Sequence, residues 1–341
     1  MADTIVSKSK IDAIADAVNT KTGKTGAMTL DEIAQAVKDY DPGQGVTMTQ
    51  ICDGSAYEGD IVIDTVYHSA DEKTICVPDH RFRGTGMNSV TINEPSGFYI
   101  GGYSFNKCTN LTKVDAPNCV KVSGYSFIGC TSLSNINLPK LQTIGSYAFQ
   151  ETGIKKLEIT TLNTLEGSAF SGCQSLTTVN APNLSTVGSS SFYNCKSLSG
   201  LTCPTLLSVG SSCFTNCFAL EEFIAAVNSV GASAFSVCSN LKIFDSTSTT
   251  AGKFSGSYTF QNTSKLDAVI LRSNGVWSNS ASTTFTNSKI GAKGGFIYVP
   301  KDLIDSYKVA TNWAAYADYF RALEDYTTDG TTTGPLDSSK I

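Results

Sequence analysis

Residues 187–204 read Val-Gly-Ser-Ser-Ser-Phe-Tyr-Asn-Cys-Lys-Ser-Leu-Ser-Gly-Leu-Thr-Cys-Pro, and this unit recurs along the chain. Its phenylalanine belongs to a series with steps of 21 or 22 residues: Phe105, Phe127, Phe149, Phe170, Phe192, Phe214 and Phe235. Six of these are followed by Cys three residues later and by Leu six residues later, and an aliphatic residue stands five positions before every one. Residue types that recur at fixed distances from Phe over seven copies indicate an internal repeat.

The repeat extends beyond these seven copies at both ends. Phe82 begins a degenerate first copy, and Phe260 and Phe285 begin late copies after steps of 25 residues. The sequence therefore predicts about ten coils of 21–25 residues, spanning residues 82–295.

The spacing within one coil predicts how its chain runs. In Leu176-Thr-Thr-Val179-Asn, an apolar residue with polar neighbours indicates a short strand that points Val179 inward. Pro182 then ends the strand, because proline has no N–H for a sheet ladder, and the Gly-rich stretch before each Phe turns the chain back. No coil buries its Phe and Leu alone, so the coils must stack as a solenoid of mainly β and irregular structure.

The pattern Ile-Gly-x-x-Ala-Phe-x-x-Cys-x-x-Leu-x-x-Val-x-x-Pro resembles the leucine-rich repeat of the BspA type. Its clearest copies are Ile144-Gly-Ser-Tyr-Ala-Phe149 and Val230-Gly-Ala-Ser-Ala-Phe235. The resemblance covers about residues 82–295. It implies a binding protein without shared catalytic residues, since members of this family are binding proteins and many are bacterial surface adhesins.

Residues 1–40 are expected to form a helical hairpin. Two apolar stripes at helical spacing indicate its helices: Ile11, Ile14 and Val18 in the first, and Leu30, Ile33 and Val37 in the second. The text from Ile11 to Ile33 resembles N-terminal segments of virion proteins from tailed bacteriophages of Gram-positive hosts. This resemblance implies that the six stripe residues attach the chain to other virion proteins.

The segments around the array complete the predicted organisation. Residues 41–81 are a linker and β cap, in which Asp60–Asp64 and Thr74–Pro78 are expected to form a hairpin. Residues 296–327 resemble the C-terminal closing element of such arrays and predict a helical cap. Its first helix carries Leu303, Ile304 and Tyr307, its second Trp313, Tyr316 and Phe320. Residues 328–341 are expected to be a flexible tail.

Composition excludes several classes of function. The 341 residues carry a net charge of −5 without a basic tract, which argues against nucleic-acid binding. No apolar run approaches 18 residues, so no membrane insertion is expected. Charges at Asp3, Lys8, Lys10 and Asp12 stand where a signal peptide needs apolar residues. We therefore expect assembly in the bacterial host cytoplasm and a final location in the virion.

The reactive side chains do not form a recognisable catalytic or metal constellation. Six cysteines keep phase with the core Phe residues and are expected to be buried and reduced. Cys52, His68, Cys76 and His80 match none of the compact zinc spacings. The sequence thus predicts no cofactor, no metal and no enzymatic activity.

Tyr103, Tyr125 and Tyr147 occupy the same position, two residues before Phe, in three successive coils. Either they pack over the turn of the neighbouring coil, or they form a binding strip, since tyrosine favours interfaces. The favoured function is a structural or binding protein of a bacteriophage virion (tail, neck or head appendage). It would be a homo-oligomer that recognises a host surface protein or glycan. The alternative is a bacterial cell-surface or prophage-encoded adhesin.

Overall fold

The computed structural model describes residues 58–63, 67–68, 75–77, 79–292 and 294–325. These residues belong to two compact units that divide between Leu141 and Gln142. The predicted hairpin of residues 1–40, with Ile11, Ile14, Val18, Leu30, Ile33 and Val37, lies outside the described residues, and so does the predicted tail.

The described part of the first unit contains strands β1 (Glu58–Ile63), β2 (Tyr67–His68), β3 (Ile75–Val77), β4 (Gly86–Ile92), β5 (Phe98–Ile100), β6 (Lys113–Asp115), β7 (Cys119–Val122) and β8 (Asn135–Asn137). Strands β1, β4, β6 and β8 form one parallel sheet. Strands β3, β5 and β7 form a second parallel ladder, and β2 pairs with β3 in the antiparallel direction.

The hairpin expected between residues 60–64 and 74–78 is wrong. Strand β1 pairs in parallel with β4, whereas both edges of β3 are taken by β2 and β5. The two segments therefore follow the same two-sheet pattern as the coils after them. A hairpin would have needed them to share one sheet, and the stacking of coils gives each segment a different partner.

The second unit continues the same pattern with β9 (Thr143–Ile144), β10 (Lys156–Glu158), β11 (Thr164–Leu165), β12 (Thr178–Asn180), β13 (Thr186–Val187), β14 (Gly200–Thr202), β15 (Ser208–Val209), β16 (Glu222–Ala225), β17 (Ser229–Val230), β18 (Ile243–Ser246), β19 (Lys253–Phe254), β20 (Ala268–Leu271), β21 (Ser278–Asn279), β22 (Phe296–Val299) and β23 (Phe320–Ala322). Its helices are α1 (Lys289–Ala292) and α2 (Ile304–Val309), with short 3-10 helices at Lys301–Leu303, Ala314–Tyr319 and Leu323–Asp325. All strand pairs of this unit are parallel.

Each coil of the second unit contributes to two sheets. The strand that the sequence predicts is present: Val179 on β12 is buried and pairs in register with Leu201 on β14. The second, two-residue strand was not predicted, because two residues carry too little alternation to be recognised. Strand β13 ends at the buried Val187, and its neighbours β11 and β15 place Leu165 and Val209 in the same register.

The phenylalanine column forms the core between the two sheets. Phe82, Phe105 and Phe127 stack in the first unit, with ring centroids 5.0–5.1 Å apart. In the second unit the stack runs through Phe149, Phe170, Phe192, Phe214, Phe235, Phe260 and Phe285, with centroids 5.2–5.9 Å apart. The structure thus confirms a solenoid of about ten turns, including the degenerate first copy and the two stretched late copies.

The end of the second unit is less helical than the sequence predicts. Tyr316 belongs to a 3-10 helix that Trp313 immediately precedes, and Phe320 begins β23 rather than continuing a helix. Pairing of β23 with β22 draws this chain into the sheet, which overrides the weak helical spacing. Trp313 Nε1 and Asn312 Nδ2 donate to the carbonyl oxygens of Trp277 and Asn279, at 2.6 and 2.8 Å. The role of residues 296–327 as a closing cap stays a prediction.

Candidate functional site

In the turn before every Phe of the column except Phe285, one residue adopts a left-handed backbone conformation. In the first unit these residues are His80, Tyr103 and Tyr125, with φ of 58°, 57° and 62°. Four later coils place serine at the same position, namely Ser168, Ser190, Ser212 and Ser233. A positive φ is unfavourable for a bulky side chain, so the aromatic residues occupy a position that the backbone does not favour for them.

The three aromatic side chains of the first unit form a stack, named here the aromatic row. The rings of His80 and Tyr103 lie 4.7 Å apart at an angle of 6°, and those of Tyr103 and Tyr125 lie 4.6 Å apart at 1°. Backbone hydrogen bonds from His80 N to Gly102 O (2.9 Å) and from Tyr103 N to Gly124 O (3.2 Å) set this spacing. Both faces of Tyr103 are therefore covered, and its exposed part is the ring edge with the hydroxyl group.

Of the three tyrosines singled out in the sequence, the structure stacks Tyr103 on Tyr125. Tyr147 lies in the second unit at the same position of its coil, half-buried and with φ 59°. The sequence interpretation missed His80, which extends the row by one coil. The signal was available, because His80 also stands two residues before a repeat Phe, but the first copy is degenerate elsewhere.

The cysteine column is a structural element of the core. Cys195, Cys217 and Cys238 each donate a hydrogen bond to the carbonyl oxygen of the Phe one coil earlier, at 2.9–3.2 Å. Burial raises the pKa of the Cys173 thiol to about 11 and that of Cys238 to about 12. The nine cysteines at positions 108–238 are buried and unbridged. Thiols held in this state are poor nucleophiles and poor metal ligands.

The described residues contain no group of three His, Cys, Asp or Glu side chains that could hold a metal ion. Of the four residues considered for zinc, only His80 has a described side chain, and its ring stacks on Tyr103. Asp245 is buried on β18, but Arg272 binds its carboxylate through both Nε and Nη2, at 2.8–3.2 Å. This acid is therefore neutralised by its partner rather than presented to a substrate.

The outward positions of the predicted strands are small and polar, and part of their hydrogen-bonding capacity joins neighbouring coils. Thr177 Oγ1 donates to Lys155 O at 2.9 Å, and Asn137 Nδ2 donates to Asp115 Oδ1 at 2.8 Å. These side chains stabilise the stacking of coils. The aromatic row differs from them because its exposed groups are large.

Comparison with known proteins identifies the repeat. The family model described as "BspA type Leucine rich repeat region" matches residues 66–177 and 163–291, in six copies. The chain belongs to the BspA-type leucine-rich repeat family. The two matches together span more than half of the chain, and they cover every coil from the first buried Phe to the last.

Solved structures of leucine-rich repeat proteins are similar to this chain, and the likeness with a TM-score above 0.5 shows a shared fold. A protein from Bacteroides ovatus aligns over 73% of this chain and 69% of its own, with a TM-score of 0.55 and 21% identity. The T. pallidum leucine-rich repeat protein aligns over 52% of this chain and 88% of its own, with a TM-score of 0.46 and 22% identity. At this identity the likeness concerns the fold. A search of curated protein sequences finds no match.

The BspA-type solenoid is an architecture for binding or structural roles, and none of the described residues indicates catalysis. No helix in the described part of the chain is long and apolar enough to cross a bilayer. The surface of the array is the part that another molecule can contact. The aromatic row is the most distinctive feature of that surface.

Proposed function

We propose that this BspA-type protein is a non-enzymatic binding protein whose repeat array contacts another macromolecule through its turns. The thiols of the repeat lie in the core, where they donate hydrogen bonds to carbonyl oxygens of neighbouring coils. The aromatic row carries the proposal, because three successive coils keep a ring in a strained position that four later coils give to serine, although Tyr147 and Tyr258 occupy it as well. Strained, rule-breaking positions cluster at functional sites.

We further propose that the array recognises a host surface protein or glycan as part of a bacteriophage virion, in a tail, neck or head appendage. The N-terminal segment supports this assignment, because residues 11–33 resemble N-terminal segments of virion proteins from tailed bacteriophages. Ile11, Ile14, Val18, Leu30, Ile33 and Val37 would then bind other virion proteins. In a homo-oligomer, repeated weak contacts would add to a strong one through multivalency.

The alternative is a bacterial cell-surface or prophage-encoded adhesin. Membership of the BspA-type family favours it, since that family includes many bacterial surface adhesins. Both functions use the same repeat array for binding. They differ in whether the array is attached to a phage particle or to the bacterial cell surface.

Fractionation of the producing cells separates the two. The virion proposal expects the protein in gradient-purified phage particles, and the adhesin proposal expects it in the cell envelope. A variant that lacks residues 1–45 should leave a folded array that no longer joins the particle yet still binds host cells, with lower avidity. Normal incorporation of this variant would place the attachment elsewhere, with Trp313, Tyr316 and Phe320 as the next candidates.

A further inference from the structure

Residues 79–141, which include the coils of the aromatic row, are basic, in contrast to the chain as a whole. Residues 79–141 carry six basic side chains, which are Arg81, Arg83, Lys107, Lys113, Lys121 and Lys140, and three acidic ones, which are Asp79, Glu94 and Asp115. Their net charge is +3, whereas the full chain has −5 and residues 142–325 carry twelve charges of each sign. Glu58 and Asp60 on β1 lower the charge of the described part of the first unit to +1, so the positive charge lies in the coils that hold the aromatic row.

Acidic side chains of this segment already form an ion pair or a hydrogen bond within the protein. Asp115 lies 3.3 Å from Lys113, and Asp79 Oδ1 accepts the N–H of Gly102 at 2.6 Å. Arg83 and Lys107 are exposed and pair with no acidic side chain among the described residues. Two cations of the segment are thus available to a ligand.

Lys107 stands in the same turn as Tyr103. The Tyr103 carbonyl accepts the N–H of Asn106 at 3.1 Å, which closes the turn one residue before Lys107. Lys107 has φ 59°, and glycine occupies the equivalent place in the neighbouring coils, at Gly84 and Gly129. A lysine here costs backbone strain that its neighbours avoid. Later coils also carry side chains with positive φ at this position, among them Glu151, Asn194 and Val237, so Lys107 is distinguished by its positive charge.

A second aromatic and basic pair lies in the same coils. Tyr99 on β5 is 37% exposed, and Lys121 Nζ lies 5.8 Å from the centre of its ring. Tyr99 pairs in register with Lys121, and the two strands lead directly into the turns of Tyr103 and Tyr125. Tyr99 and Lys121 therefore place a second aromatic ring next to an ammonium group in the first unit.

The closed ring faces restrict what this surface can bind. Single-stranded nucleic acids and neutral sugars bind aromatic side chains by stacking on an open face. Both faces of Tyr103 are occupied by His80 and Tyr125. Ring edges recur at the spacing of the coils, and those of Tyr103 and Tyr125 carry a hydroxyl group. Phenol groups and ammonium groups both donate hydrogen bonds to anionic oxygens.

We propose that the aromatic row, together with Arg83 and Lys107, binds an anionic polysaccharide, meaning a chain whose repeating sugar or polyol units carry carboxylate or phosphate groups. This inference rests on the proposed function and gives it a ligand class. A polymer with regularly spaced anions matches a surface on which donors recur from coil to coil. Its affinity falls as salt rises, because the contacts are exposed and screened.

The test measures binding of the full-length protein to immobilised poly(glycerol phosphate), polygalacturonate, neutral dextran and a single-stranded oligonucleotide. We expect binding to one or both anionic polysaccharides, which weakens with added NaCl, and none to dextran. The two anionic polymers separate a phosphate ligand from a carboxylate ligand. Preference for dextran or for the oligonucleotide would overturn the proposal.

Matched variants locate the site. Tyr103→Ser and Lys107→Gly introduce residues that other coils use at the same backbone positions, so the fold should persist. Each should weaken binding about tenfold, the effect of losing one charge-assisted hydrogen bond. The controls Tyr258→Ser and Lys196→Gln change an exposed tyrosine and an exposed lysine of the second unit and should bind as the parent does. Equal losses in the controls, or parental binding by both test variants, would contradict the site.

Host-cell binding of the parent protein distinguishes failure of the proposed ligand class from failure of the proposed function. If the parent binds host cells but neither anionic polysaccharide, this ligand class is wrong and the proposed function stands. If it binds neither cells nor polymers, the proposed function fails as well.

Discussion

The thiol of Cys195 donates a hydrogen bond to the carbonyl oxygen of Phe170, one coil earlier, at an Sγ–O distance of 3.1 Å. The same oxygen accepts the backbone N–H of Cys173 in its own coil, also at 3.1 Å. A carbonyl has two lone pairs, and in this column both are used. The cysteine of the repeat is therefore a hydrogen-bond donor that connects one coil to the next, as well as a small apolar residue.

Replacing Cys195 separates these two roles. Cys195→Ser keeps a donor, whereas Cys195→Ala leaves the second lone pair of Phe170 unsatisfied in the core. We expect the serine variant to be the more stable by about 1 kcal/mol, measured by urea unfolding. An alanine variant as stable as the serine variant would show that the cysteine acts through its volume alone.

The buried thiols should make the protein sensitive to high pH. Burial raises the pKa of Cys203 and Cys238 to about 12, above the ordinary value of 9.0. Between these values the unfolded chain loses protons that the folded chain retains, so stability is complete below about pH 9 and falls as the pH rises toward 12. Each such thiol contributes about 1.4 kcal/mol per pH unit in this window.

Unfolding free energies measured across this window test the prediction. A Cys203→Ala variant should show a shallower fall than the parent, since one titrating thiol is gone. Alkylation gives an independent reading, because the thiols should react slowly in the folded protein and rapidly in denaturant. A flat stability profile above pH 9, or rapid alkylation of the folded chain, would contradict it.

Phe192 should be critical for the middle coils. Its ring is fully buried between those of Phe170 and Phe214, with centroids 5.9 and 5.4 Å away. Phe192→Ala should cost about 3–5 kcal/mol, and hydrogen exchange should rise in the adjacent coils too, because a stacked array transmits stability between neighbours. Phe192→Leu is the milder comparison. Exchange confined to one coil would contradict the coupling.

Gly210 stands where the backbones of two coils approach each other closely. A Cβ at this position would overlap backbone atoms of Gly188 and Ser189, and backbone cannot move aside as a flexible side chain can. Gly210→Ala should therefore destabilise the second unit by about 1–3 kcal/mol. In Gly275→Ala the new Cβ would meet only the Ala251 side chain, at 3.2 Å. Thermal melting should show a small shift for this control and a large one for Gly210→Ala.

The sequence alone determined the solenoid, its coil length and its core columns. Residues at a fixed phase, such as Phe192, Cys195 and Leu198, must face the same way in every coil, and one coil cannot bury them without its neighbours. The period therefore implied both the stacking and the family. It also singled out Tyr103, Tyr125 and Tyr147 at the same position of three successive coils.

The tertiary structure decided the features that depend on contacts between coils. The two-residue strands such as β13 form only because a neighbouring coil supplies the hydrogen bonds, and Phe320 enters a strand because β22 lies beside it. The thiol of Cys195 finds its acceptor one coil away. Whether Tyr103 and Tyr125 would offer open faces or closed ones depended on the coil spacing and the left-handed turns, which bring the rings to 4.6 Å. Such contacts join residues about 22 positions apart, beyond the reach of local sequence patterns.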